Sequence, residues 1–204
     1  MNRTATNIVW TGGLAGVLLL LGSIAAGCNA RDAAAAAPPT DRTAQVERGA
    51  YLVKAIGCND CHTPMKMGPN GPESDMSRML SGHPEDVKIT EVAPMPPAGP
   101  WANGIVGSAT STAFSGAWGV SFTANLTPDQ NTGLGIWTED MFIKAMRTGK
   151  HFGVSRPILP PMPWSAFRTL TDDDLKAVFA YLRSIPPVVN HVPDPIPPPA
   201  VTTN

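Results

Sequence analysis

The chain has 204 residues with 15 lysines and arginines against 16 aspartates and glutamates, a formal net charge of -1, and 43% hydrophobic content. That balance supplies no basic footprint for a phosphate backbone, so nucleic acid is excluded as a partner, and the apolar content is too high for a disordered chain. Three cysteines are too few for a disulfide scaffold, and 22 prolines with 19 glycines argue against a long regular bundle or a large sheet.

Residues 8–27 form a long uncharged stretch centred on Leu18, Leu19, Leu20 and Leu21, with Arg3 ahead of it. A short positive region followed by an apolar one is the pattern of an export signal, expected over residues 1–27. The stretch ends in Ala25-Ala26-Gly27-Cys28 and resembles the lipobox of bacterial lipoproteins, which implies a lipid-modified Cys28 and a lipid anchor to a membrane. An ordinary cleaved signal and an uncleaved anchor are the competing readings. All three put the remainder on the periplasmic side of a bacterial envelope. Residues 28–41, rich in alanine and proline, hold no large apolar side chain to bury and read as a linker.

The helical elements follow in chain order. Val46, Gly49, Ala50, Val53 and Ile56 fall on one face of a helix that runs into Cys58-Asn59-Asp60-Cys61-His62. Glu139 to Arg147 reads as a second helix, capped by Thr138 and stopped by Gly149. Leu175, Val178, Phe179, Leu182 and Ile185 repeat the helical spacing behind a Thr171 cap and three aspartates, with Pro186-Pro187 as the stop. Gly49 is the position at which the first helix would let the last one approach, against a bulky residue such as Tyr181.

Cys58-x-x-Cys61-His62 is the most specific motif in the chain. Two thiols one helical turn apart can each add across a haem vinyl group, while the adjacent imidazole is carried to the iron. A zinc site would need a fourth ligand, and no second C-x-x-C or paired histidines at ligand spacing supply one. A redox-active C-x-x-C would need the strand-helix-strand flanks of a thioredoxin fold, which are missing. The expected cofactor is therefore one covalently attached haem c on Cys58 and Cys61, with His62 as an axial ligand. Its second ring nitrogen is expected to donate to a nearby carbonyl, that of Pro64 or Pro69.

These features resemble class I c-type cytochromes: a helix running into C-x-x-C-H, a methionine loop, and a C-terminal helix crossing the first. The runs Leu126-Thr127-Pro128-Asp129, Thr132-Gly133-Leu134-Gly135-Ile136-Trp137 and Pro160-Pro161-Met162-Pro163-Trp164 look more closely like the cytochrome c subunits of bacterial membrane-bound alcohol dehydrogenases. Those subunits usually carry several C-x-x-C-H sites, and this chain has one. The resemblance implies an all-α cytochrome domain over residues 42–187, wrapped around a single haem by irregular loops. It also implies Met162, held between two prolines ahead of the last helix, as the sixth ligand. Met76, Met79, Met95 and His151 are the alternatives, Met141 and Met146 are expected to fill core, and His83 and His191 to be exposed.

Residues 63–136 hold ten glycines and nine prolines and show no helical stripe. They are expected to cover the haem with Phe114, Trp118, Phe122 and Trp137, and short strands are expected at residues 87–89 and 118–122. Lys144, Arg147, Lys150, Arg156 and Arg168 form an unbroken positive stretch, read as either a solvated face or a docking surface. Residues 188–204 form a proline-rich tail, expected to lie against the domain or a partner without joining a sheet.

No side-chain set for acid-base or nucleophilic catalysis is present, so the expected function is electron transfer and no catalytic residue is assigned. The chain would accept electrons from a periplasmic or membrane dehydrogenase and pass them to an oxidase or another cytochrome. A permanent subunit of a membrane-bound oxidoreductase complex and a gas-binding or sensing haem protein are the alternatives.

Overall fold

The computed structural model describes residues 42–94 and 104–200. The export signal, Cys28, the linker up to residue 41 and Met95 lie outside the described residues. The described chain folds as α1 (Arg42–Ala55), α2 (Cys58–His62), β1 (Met65–Gly68), β2 (Gly71–Ser74), β3 (Val106–Gly107), β4 (Ala113–Gly116), β5 (Gly119–Phe122), α3 (Glu139–Thr148), α4 (Trp164–Phe167) and α5 (Asp172–Leu182). Among the described residues no helix is long and apolar enough to cross a membrane.

α1 and α5 pack against each other because α1 presents Gly49 at the contact. A Cβ at that position would fall 1.9 Å from the Ala177 carbonyl oxygen and 2.7 Å from the Tyr181 Cβ. The close approach expected against Tyr181 is therefore made chiefly against the backbone of α5. Leu52, Val53, Leu175, Val178, Phe179 and Leu182 complete the seam, and Phe142 of α3 joins it with its ring centroid 5.4 Å from that of Phe179. The caps follow the sequence. Thr138 Oγ1 accepts from the Met141 N–H and Thr171 Oγ1 from the Asp174 N–H, while Gly149 ends α3 in the left-handed region.

The all-α expectation is wrong: the fold is mixed, with five helices and two antiparallel sheets among the described residues. β1 pairs with β2, and β3, β4 and β5 form a three-stranded sheet in that order. The strands arise where the sequence looked like unbroken loop, because a hairpin needs few residues when glycine closes it. Gly68 faces Gly71 across the Pro69-Asn70 turn, and Gly116 faces Gly119 across Ala117-Trp118. Gly71 and Gly119 hold φ of 116° and 94°, open to glycine and costly to other residues. Four-residue strands are too short for alternation to register as a pattern. The strand expected at residues 118–122 is β5, whereas residues 87–89 form none.

The tail also departs from expectation by pairing with the sheet. Ile196 exchanges two backbone hydrogen bonds with Val120, at 2.8 and 3.0 Å. Ile196 is flanked by Pro195 and Pro197 but keeps its own N–H, and that one donor suffices for a two-bond bridge.

Candidate functional site

Gly57 carries the chain out of α1 in the left-handed conformation (φ 74°) and opens α2, which is the C-x-x-C-H motif itself. The thiols stand on a cavity of about 460 Å³, within the roughly 300–1,000 Å³ of cofactor sites. Cys58, Cys61, His62 and Met162 all line this cavity. Its remaining walls are largely apolar, with Phe114 and Phe122 from the sheet, Trp137 and Phe142 around α3, and Leu175 and Val178 from α5. Phe114, Phe122 and Trp137 therefore stand where a haem cover was expected. Trp118 is absent from the lining and donates its indole N–H to Ser121 Oγ at 3.3 Å.

His62 is buried, and its Nδ1 lies 2.8 Å from the Ala124 carbonyl oxygen. A carbonyl only accepts, so Nδ1 carries the proton and Nε2 is left with the lone pair needed by a metal. The partner is thus not the expected carbonyl of Pro64 or Pro69 but one 62 positions away. Burial lowers the imidazole pKa against the raising effect of that hydrogen bond, favouring the neutral ring. Burial pushes Cys58 up to about 11, and burial followed by the Asp60 charge raises Cys61. Both are therefore thiols at neutral pH, in contrast to the activated thiolate of a disulfide exchanger.

The Met162 loop is tied down at both ends. Ser121 Oγ of β5 donates to the Pro160 carbonyl at 2.5 Å, and the Pro160-Pro161 bond is cis. On the other side Trp164 opens α4 and packs over Gly149 at the end of α3. Of the alternative ligands, Met76 is exposed and Met79 packs on the core, and neither lines the cavity, whereas His151 does. Met146 also lines it, while Met141 is 38% exposed and fills no core.

His83 is fully buried, contrary to the exposure expected of it. Its Nε2 donates to the Val87 carbonyl at 3.0 Å, so Nδ1 accepts from Thr112 Oγ1 at 2.9 Å. The unbroken positive stretch is partly neutralised: Arg147 pairs with Asp172 at 2.5 Å and donates to the Arg168 carbonyl. Ala124 and Asn125 were not anticipated from the sequence. The available signal was Asn125-Leu126-Thr127, a spacing at which an asparagine side chain binds backbone two residues on.

An apolar wall, two thiols one turn apart, an imidazole with a free Nε2 and a thioether form a donor set that fits haem c. No family model matches the chain. It is 29% identical over 189 residues, 90% of its length, to a subunit of the nicotinate dehydrogenase of Pseudomonas putida, and 28% identical over 147 residues, 72% of its length, to the fructose dehydrogenase cytochrome subunit of Gluconobacter japonicus. It is 30% identical over 159 residues, 74% of its length, to the alcohol dehydrogenase (quinone) cytochrome c subunit of Gluconacetobacter polyoxogenes. The chain is a c-type cytochrome related to dehydrogenase cytochrome subunits such as the last two. It spans only 13%, 22% and 26% of those three relatives. The resemblance drawn from the loop sequences agrees with the relatives found, and the cytochrome assignment implies haem c as the cofactor.

Proposed function

We propose that the chain is a monohaem electron-transfer cytochrome, with haem c attached through Cys58 and Cys61 and ligated by His62 and Met162. When bound, haem c supplies a reversible one-electron centre. The observation that carries this reading is the shared cavity: all four side chains line it, and His62 is held in the tautomer that leaves Nε2 unprotonated. The protein's own work would be to hold the cofactor, exclude water with Phe114, Phe122 and Trp137, and keep His62 and Met162 oriented. A methionine sulfur in the ligand set beside a histidine would raise the potential, which suits acceptance from a periplasmic or membrane dehydrogenase and delivery to an oxidase or another cytochrome. In this reading Cys28 carries the lipid that keeps the domain at the periplasmic face of a membrane.

The test is spectroscopy and extraction on protein from a host that matures c-type cytochromes. The expected result is a Soret band, with one haem per chain that resists acid-acetone extraction. In Cys58→Ala or Cys61→Ala the haem should be held by a single thioether, with a red-shifted α band. Extractable haem in the wild type, or no Soret band, overturns the proposal.

That the relatives are named as dehydrogenase subunits favours a second reading, a permanent subunit of an oxidoreductase complex. Gel filtration of native extracts at high salt separates the two. Elution with a dehydrogenase supports the subunit, and elution alone supports the carrier.

A further inference from the structure

Both backbone partners of His62 are held by the same short stretch of the C-terminal tail. On one side, the Gly82 N–H donates to the His62 carbonyl at 2.8 Å. Asn190, fully buried, donates through Nδ2 to the Ser81 carbonyl at 2.7 Å and the His83 carbonyl at 2.9 Å, the residues flanking Gly82. Its Oδ1 accepts from the Glu85 N–H at 3.0 Å and from Arg78 at 3.4 Å, so every bonding position of the amide is used.

On the other side stands Ala124, whose carbonyl accepts from His62 Nδ1. The next residue, Asn125, is buried and donates through Nδ2 to the Val188 carbonyl at 2.8 Å and to Thr132 Oγ1 at 3.2 Å. Its Oδ1 accepts from the Thr127 N–H and hydroxyl at 3.0 and 2.7 Å. The tail answers in kind: the Val188 N–H donates to Thr127 Oγ1 at 3.0 Å, and the Asn190 N–H donates to Thr132 Oγ1 at 3.1 Å. Residues 188–190 therefore grip the 81–83 and 124–127 segments at once, and His62 is bonded to both.

We propose that this clasp sets the reduction potential, with Asn125 and Asn190 as positioning residues that act on the His62–Ala124 hydrogen bond, Asn125 as the neighbour of Ala124 and Asn190 by fixing His83, whose N–H donates to the Thr123 carbonyl at 3.0 Å. The inference rests on the reading of His62 as an axial ligand. A close Nδ1–H to carbonyl bond makes the imidazole a stronger donor and so favours the ferric state. Loosening the carbonyl weakens that donation and raises the potential. The device uses only side chains outside the iron's immediate ligands, so ligation and potential can be altered separately.

The test compares holo wild type with Asn125→Ala and Asn190→Ala, measuring haem per chain, potential, and exchange of the His62 ring N–H in the reduced protein by NMR. The expected result is unchanged haem content, faster exchange, and about a tenfold higher ferrous-to-ferric ratio at fixed ambient potential, equivalent to about 59 mV for one electron. Val53→Ala, in the α1–α5 seam, is the control: it lowers the melting temperature and leaves the potential in place. If Asn190→Ala does not fold, Thr127→Val removes the hydroxyl that accepts from Val188 with little change of shape. A wild-type potential and exchange rate in the folded variants overturn the clasp. If His62→Ala keeps the wild-type haem spectrum, it is the ligand reading that fails instead.

Discussion

Trp164 packs over Gly149: a Cβ on Gly149 would sit 2.3 Å from the indole. The contact joins the end of α3 to the start of α4, with Met162 two residues before the tryptophan. Gly149 also holds φ of 66°, where a side chain costs about 1–2 kcal/mol. Gly149→Ala should therefore lower stability by at least that amount and displace the Met162 loop. The check is thermal unfolding of the holo protein together with its absorption at the weak sulfur-to-iron charge-transfer band. Stability and band both at wild-type values would remove this coupling.

Met162→Ala deletes the thioether and leaves the backbone ties at Pro160 and Trp164 in place. The charge-transfer band should disappear, the reduced protein should gain carbon monoxide binding, and the potential should fall. Titration with carbon monoxide, wild type beside variant, reads the result. Wild-type protein that already binds carbon monoxide would favour the gas-sensing alternative.

Gly49→Ala forces a methyl into the Ala177 carbonyl and must drive α1 from α5. Overpacking of this kind costs about 1–3 kcal/mol, and the clash here is with backbone, so the cost should exceed the roughly 1 kcal/mol that alanine's better helix propensity returns. A lower denaturant midpoint with an unchanged slope is the expected outcome of urea unfolding. A midpoint at or above that of the wild type would show that the seam yields easily.

The buried imidazole of His83 predicts a pH dependence. Burial is the main cause of its lowered pKa, aided by Arg78 and Lys88 and opposed by the Val87 hydrogen bond and Asp86. Because the folded value lies below the unfolded value of about 6.5, the unfolded state binds the extra proton first. Its contribution is complete above that pH and is lost as the pH falls through the folded value. His83→Gln should flatten the stability profile on the acid side relative to wild type, as read by melting temperature against pH. Parallel profiles would assign the acid loss to other groups.

Caps, helix faces and the C-x-x-C-H motif were legible because each is local: Thr138, Thr171 and Gly149 act on residues within one turn. The sheets were not, since glycines at hairpin corners look the same as glycines in loops. The four residues picked out by type, Cys58, Cys61, His62 and Met162, are brought together on one cavity. The partner of His62 was not legible, because Ala124 contributes a backbone carbonyl, which every residue possesses. His83 was misjudged for a related reason, since its burial depends on Thr112 and Val87 meeting it in three dimensions.

The bridge between Ile196 and Val120 has a consequence for the protein among its neighbours. β5 is an outer strand of its sheet, and exposed strand edges invite pairing with other chains. Gly119 admits the tail so closely that a Cβ there would fall 2.0 Å from the Ile196 carbonyl oxygen. Beyond that single bridge, Pro195, Pro197, Pro198 and Pro199 offer no N–H to an incoming strand. The tail thus covers the β5 margin with residues that cannot extend it, which disfavours pairing with another chain at that edge.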